Sequence, residues 1–239
     1  DEPDPARPTG QEGQAAPPRA KKPCGPSDCI VPNYIDVREA QRTAVVHFPA
    51  VLTDADLSDL FRYYRAALDT GDPLDTNPQN RQHHRKRCVF LHGTAAPDGG
   101  LIRHAPRVLA KLLRAAVEAK ERGGWGRPAA LADIDVRGLN IRIAELWEYE
   151  PGGGLVDDFH YDAGSIVTIV CLACDRSDFT GGAFRTLEVS GEQLEHRMEK
   201  GDVLCLLSHK YHNITPVESG RRKTLVLELW QGGLSGWCR

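Results

Sequence analysis

The sequence predicts a mostly β fold of the α+β class, with helices gathered ahead of the sheet. Three observations lead there. From Ile134 onward, short runs rich in β-branched and aromatic residues recur between glycine-bearing turns. Before that point, two stretches carry apolar residues at helical spacing. The chain has 239 residues, 41% of them hydrophobic, which suffices for one barrel with a helical support.

Residues 1–33 are rich in Pro, Gly, Ala and charge, with almost no large apolar side chains, so they read as a disordered leader. Residues 34–239 then form a single domain with its core at about 134–230. Thr43–Phe48 is a short β run ending at Pro49. Thr53 or Asp54 can cap a helix to about Leu68, with Leu57, Leu60, Phe61 and Tyr64 on one face. Gly71–Lys86 is polar and turn-rich, a loop, and Cys88–His92 is a strand. Ala105–Arg122 is a second helix whose stripe is Val108, Leu109, Leu112, Leu113 and Val117, stopped by Gly123-Gly124. The β runs are Val136–Tyr149, Ser165–Ala173, Phe184–Val189, Val203–Leu207 and Thr224–Trp230.

The chemistry concentrates in His160-Tyr161-Asp162, with His212 fifty residues past Asp162 and Arg222 ten further on. Two imidazoles and one carboxylate are the set that binds non-haem Fe(II) on one face of an octahedron, leaving positions open for a cosubstrate and O2. The i, i+2 spacing of His160 and Asp162 suits a strand end, where alternate side chains point the same way. Arg222 supplies a rigid cationic fork of the kind that grips a carboxylate in two places. His209 rivals His212 but falls on the opposite face of an extended segment, so it is expected in a surface or loop position. On the last strand Arg222 and Thr224 share a face, while Arg221 and Lys223 point outward.

The ordered segments are Tyr149-Glu-Pro-Gly-Gly-Gly-Leu155, Phe159-His-Tyr-Asp-Ala-Gly-Ser165, Phe179-Thr-Gly-Gly-Ala-Phe184 and Lys200-Gly-Asp202. His212-Asn-Ile-Thr-Pro-Val217 and Gly220-Arg-Arg222 close the series. A lone His-x-Asp is common in proteins; the whole series in this order is specific. It resembles the Fe(II)- and 2-oxoglutarate-dependent dioxygenases, in particular their prolyl 4-hydroxylase-like branch, over about residues 134–230 and more loosely from Thr43.

The resemblance implies a double-stranded β-helix, a jelly-roll barrel with the metal near its mouth and the N-terminal helices as support. It implies that His160, Asp162 and His212 hold Fe(II) and that Arg222 pairs with the distal carboxylate of 2-oxoglutarate. Tyr149, just before the Pro-Gly turn, matches a tyrosine that hydrogen-bonds the cosubstrate in the family; an amphipathic tyrosine at a strand end is the equal alternative. Thr168 and Thr224, on interior faces of their strands, are further candidates for that carboxylate, a core threonine being the plainer reading of Thr168. The implied reaction hydroxylates a C–H bond with O2, releasing succinate and CO2, with ascorbate in support. Because Asp162 is a carboxylate, hydroxylation is favoured over halogenation, which in related enzymes goes with a small residue there. A peptidyl side chain, proline first, is the leading substrate class; a small molecule, or a non-catalytic cupin-like binding barrel, are the alternatives.

A formal charge of −3 gives no electrostatic case for nucleic-acid or membrane partners, and no apolar run reaches the roughly eighteen residues of a membrane helix. The chain starts at Asp1 without methionine, so an upstream segment is expected to have been removed or omitted, a signal peptide being one possibility; cytoplasm and secretory lumen both stay open. Seven cysteines are an odd number, against a complete internal disulfide framework. Cys171 and Cys174 fall on opposite faces of a strand and read as buried thiols, while Cys24 and Cys29 are near enough to pair locally. Arg81–Arg87 is the one basic run, read as a solvated loop or, alternatively, a charged lip at the barrel mouth. The Asn213-Ile-Thr215 sequon adjoins a metal-ligand candidate and is expected to carry no glycan. His47, His92, His104 and His196 have no partner at ligand spacing.

Overall fold

The computed structural model describes residues 36–70, 85–92, 99–126 and 134–232. The leader, most of the Gly71–Lys86 loop, the Cys24–Cys29 pair and Arg81–His84 lie outside these residues. In chain order the elements are α1 (Val37–Gln41), β1 (Val46–Phe48), α2 (Asp54–Thr70), β2 (Lys86–Phe90), α3 (Gly100–His104), α4 (Pro106–Arg122) and β3 (Asn140–Tyr149). Then follow β4 (Val167–Leu172), β5 (Phe179–Gly181), β6 (Phe184–Leu187), β7 (Gln193–His196), β8 (Val203–Leu207), β9 (His212–Ile214), β10 (Val217–Gly220) and β11 (Arg222–Trp230).

The strands form a six-stranded sheet in the order β1-β8-β4-β11-β3-β2, faced by a three-stranded sheet β7-β6-β9 and the pair β10-β5. The sheets do not close into a barrel. Gly181 and Gly182, both at positive φ, turn the chain between β5 and β6 and divide the smaller sheets. That sharp turn is what the Gly-Gly motif provides: a Cβ on Gly181 would come within 2.4 Å of the Pro216 carbonyl oxygen.

Alternation gives the large sheet two faces. Ile169, Cys171, Val203, Cys205, Leu225 and Leu227 pack with α2 and α4, whose Leu57, Leu60, Val108 and Leu112 match the stripes read from sequence. Trp147, Tyr149, Val170, Leu172, Leu204 and Leu206 face the smaller sheets and meet Phe179, Phe184, Ile214 and Val217. Cys171 and Cys174 are thiols on opposite faces, both buried. The sequence reading differs at the start of β3 and in the short elements. The run from Val136 opens with a 3-10 turn, Val136–Gly138, capped by Asp135, so β3 starts only at Asn140. The short pieces α1, α3, β5, β7, β9 and β10 had no run of periodic residues long enough to announce them.

One irregularity matters for the site. Glu228 pairs with Ile143 but Leu229 pairs with Ile141, so Arg142 is an extra residue in β3, a β-bulge. Before the bulge Ile141 packs toward the helices, and after it Glu145, Trp147 and Tyr149 face the other way. The bulge lets Arg142 point to the cavity side as well.

Candidate metal centre

His160 and Asp162 do not sit on a strand. They lie in the irregular segment between β3 and β4, which backbone bonds pin on both sides. Leu155 and Ile214 exchange both backbone bonds at 2.9 Å, the His212 amide donates to the His160 carbonyl at 2.9 Å, and the Asp162 amide donates to the Ser208 carbonyl at 2.8 Å. His212 opens β9. The i, i+2 pair therefore converges because the segment is laid against residues 208–214, not because a strand ladder carries it.

One donor atom from each of His160, Asp162 and His212 lies within 4.8 Å of the other two. His160 Nε2 is 3.1 Å from Asp162 Oδ1, and His212 Nε2 is 3.6 Å from Oδ2. His212 Nδ1 lies 2.9 Å from the Lys210 carbonyl oxygen. A carbonyl only accepts, so Nδ1 carries the proton and Nε2 keeps its lone pair for the centre. Burial holds the His212 pKa below its usual value, against the attraction of Asp162. Burial pushes the Asp162 carboxyl up, but His212, His160 and the Thr168 hydroxyl outweigh it and bring it down to about 2. The set thus offers two imidazoles and one carboxylate, the donor set that suits a borderline divalent cation such as Fe(II).

Thr168 has a different partner from the one expected. Its Oγ1 donates to Asp162 Oδ2 at 2.5 Å and lies 2.9 Å from Ser208 Oγ. It supports the metal-side carboxylate, because its place on β4 is beside Asp162 and away from Arg222 at the start of β11. Tyr149 and Thr224 do accompany Arg222. Arg222 pairs with Tyr149 across β11 and β3, its guanidinium carbon is 5.8 Å from the tyrosine ring, and Nη1 donates to Thr224 Oγ1. Arg222 is 1% exposed and its Nε has no partner, an orphaned buried donor of the kind an anion would satisfy. A Cβ at Gly182 would fall 2.9 Å from Arg222 Cδ, so the second glycine of the motif makes room for the fork. Arg221, by contrast, is exposed and reaches Glu148 at 3.5 Å.

The triad opens into a cavity of about 370 Å³ that Tyr149 and Thr168 also line. Arg222 lines a neighbouring cavity of about 380 Å³, and Phe184, which stacks on His212 at 5.7 Å, borders both. Sequence reasoning missed several of the wall residues. Arg142 and Glu228 form a buried pair at 3.1 Å, with Ser165 Oγ donating to the same Glu228 oxygen at 2.5 Å. Burial and the nearby Asp162 charge raise the Glu228 pKa. Strand alternation places Arg142 on the helix side, and no residue type announces the bulge that turns it round. Lys86, from the end of the basic run, lines the cavity with its ammonium 4.9 Å from the Trp147 ring.

His209, expected in a surface or loop position, lies in a loop turn but is fully buried, its ring 5.5 Å from Tyr161. The residues from Ser208 to Lys210 form a tight turn packed under α1, which extended-strand reasoning does not represent. Asn213 is buried, and its amide donates to Asp158 and Gln193. His47 meets Asp202 at 2.9 Å, and His196 meets Thr186, the cross-strand partner of His212, at 2.7 Å.

No protein-family model matches the chain, and no curated protein matches it in sequence. Solved structures do match. A Pseudomonas putida prolyl-4-hydroxylase superimposes with a TM-score of 0.53 at 17% identity, covering 82% of this chain and 97% of that one. The non-haem α-ketoglutarate-dependent epimerase of nogalamycin biosynthesis gives 0.53 at 16% identity, covering 81% of each chain. The same epimerase in complex with Fe3+, α-ketoglutarate and nogalamycin RO gives 0.53 at 15% identity, covering 81% of this chain and 83% of that one. The chain thus shares the double-stranded β-helix fold of 2-oxoglutarate and iron oxygenases, in an open rather than closed form.

Proposed function

We propose that the protein is an Fe(II)- and 2-oxoglutarate-dependent dioxygenase that hydroxylates a C–H bond, with residues 34–239 acting as one catalytic domain. The observation that carries this reading is the convergence of His160, Asp162 and His212 on one cavity wall, with a buried arginine carrying an orphaned Nε nearby. A plain binding barrel has no use for the arginine.

His160, Asp162 and His212 would hold the metal, with Thr168 orienting the Asp162 carboxylate and the Lys210 carbonyl fixing the His212 tautomer. Arg222, with Thr224 and Tyr149 beside it, would receive the distal carboxylate of 2-oxoglutarate. Burial holds Tyr149 protonated by raising its pKa, so its hydroxyl is available as a donor. When bound, the iron and 2-oxoglutarate supply the oxidising power for C–H hydroxylation, consuming O2 and releasing succinate and CO2. The protein supplies donor geometry, substrate orientation and shielding from water.

A peptidyl side chain, proline first, is the leading substrate on the strength of the sequence motifs and the prolyl-hydroxylase fold. A small molecule is the second reading, favoured by the buried Arg142–Glu228 pair, since a few placed polar groups in a cavity of this size suit orienting a compact ligand. The test is succinate release under Fe(II), 2-oxoglutarate and ascorbate against a panel of prolyl and lysyl peptides and of metabolites. Stimulation by one member is expected. A chain that binds no iron and forms no succinate with any of them refutes the reading.

A further inference from the structure

All three proposed ligands are tied to one turn. Ser208 accepts from the Asp162 amide, His160 accepts from the His212 amide, and Lys210 accepts from His212 Nδ1. Ser208 Oγ, 2.9 Å from Thr168 Oγ1, adds a side-chain route to Asp162 through that threonine. Residues 208–212 are therefore the frame on which the donor atoms are set. A shift of this turn moves every one of them.

The turn is held from outside by a helix about 170 residues away in sequence. Gln41, the last residue of α1, donates from Nε2 to the His209 carbonyl at 3.2 Å and accepts at Oε1 from the Tyr211 amide at 3.1 Å. Its backbone carbonyl accepts from Lys210 Nζ at 2.9 Å. Lys210 is fully buried, and its charge is met by Glu188 at 2.9 Å. Gln41 is 7% exposed, so no solvent stands ready to replace these bonds. Fastening a short helix needs only apolar contact. Gln41 instead commits both ends of its amide to backbone groups on either side of Lys210.

We propose that Gln41 is a positioning residue of the metal centre: by clamping residues 209–211 it sets where His212, and through the shared frame Asp162 and His160, present their donor atoms. The inference rests on the metal-binding reading of the triad and extends that centre to α1.

The test is an anaerobic Co(II) titration of the full chain, reading affinity and the visible absorption bands, with melting temperature measured in parallel. Gln41→Met keeps the length and loses the amide's bonds to His209 and Tyr211, together with its bond to the Val37 carbonyl inside α1. It should bind Co(II) roughly 10–100-fold more weakly, with altered bands, as loss of a ligand-orienting partner does. Gln41→Glu keeps an acceptor for the Tyr211 amide but loses the donor to the His209 carbonyl, so it should fall between Gln41→Met and wild type, several-fold weaker than wild type. Thr43→Val removes the Thr43 bond to the Ala40 carbonyl at the end of α1 without touching the turn, and should lower the melting temperature alone. Wild-type affinity and bands in Gln41→Met overturn the inference, as does a Thr43→Val variant that weakens Co(II) equally. If Gln41→Met does not fold, Gln41→Glu carries the test: a several-fold weaker site with shifted bands supports the inference, and no change overturns it. A wild-type chain that binds no Co(II) overturns the metal reading, and this inference with it.

Discussion

On β4, β8 and β11 the residues that face the helices are Val167, Ile169, Cys171, Val203, Cys205, Leu207, Leu225, Leu227 and Leu229. On the same strands the opposite face carries Thr168, Arg222, Thr224 and Glu228 among its apolar residues. Both faces are buried almost completely, so burial does not tell them apart. Partners do. The helix face is held by area and close packing, and carries charge only at its end, where Lys223 lies over the Phe61 ring and pairs with Glu148. The cavity face keeps polar groups that packing alone would disfavour, and most of them answer to a named neighbour. Stability and chemistry are thus divided between the two sides of one sheet.

The largest test of that division is a paired loss. His160→Ala or His212→Ala should abolish stoichiometric Fe(II) binding and turnover, because two ligands do not keep the facial geometry, while the melting temperature stays near wild type. Leu227→Ala, on the helix face, should cost about 2–5 kcal/mol of unfolding free energy and leave the iron affinity of the folded fraction unchanged. Iron content after anaerobic loading and denaturant titration read the two effects. A His212→Ala protein that unfolds, or a Leu227→Ala protein that loses iron first, breaks the comparison.

A smaller step separates neighbours on β11. Arg222→Ala should raise the 2-oxoglutarate concentration needed for succinate release by orders of magnitude, with iron binding intact, since truncating one partner of a buried charge pair costs about 2–5 kcal/mol. Arg222→Lys should fall between, keeping attraction without the fork. Arg221→Ala should change the requirement little, because its side chain lies outside against Glu148. The reverse ranking would place the clamp on the wrong face. The smallest effect is expected from deleting residues 1–33, which lack the apolar side chains to join either face. Melting temperature and iron binding should stay near wild type, and loss of folding would show that the leader belongs to the domain.

The long helices were legible because they repeat a period over several residues, as Leu57, Leu60 and Tyr64 do, and the central strands because they are apolar runs between turns, as Val203–Leu207 is. The triad and Arg222 were legible because their residue types and order are unusual together. What was hidden depends on contacts between distant segments. Gln41 and Lys210 carry no signal of a role in the sequence until the fold brings them together. Thr168 was placed on the correct face, but a face does not identify a partner. His209 was given a surface or loop position, and the burial of its turn was hidden because strand alternation does not extend into a turn.

The bulge at Arg142 has a consequence for how this chain can change length. Elsewhere along β3, adding or removing one residue would exchange which side chains meet the helices and which meet the cavity. Removing Arg142 would not, because Ile141 and Ile143 already pair with Leu229 and Glu228, which are themselves consecutive. The ladder would become regular and every neighbour would keep its place, while Glu228 lost its cation. Position 142 is thus a point where chain length and sheet register are uncoupled, and where the cavity's polarity can be rewritten without disturbing the scaffold.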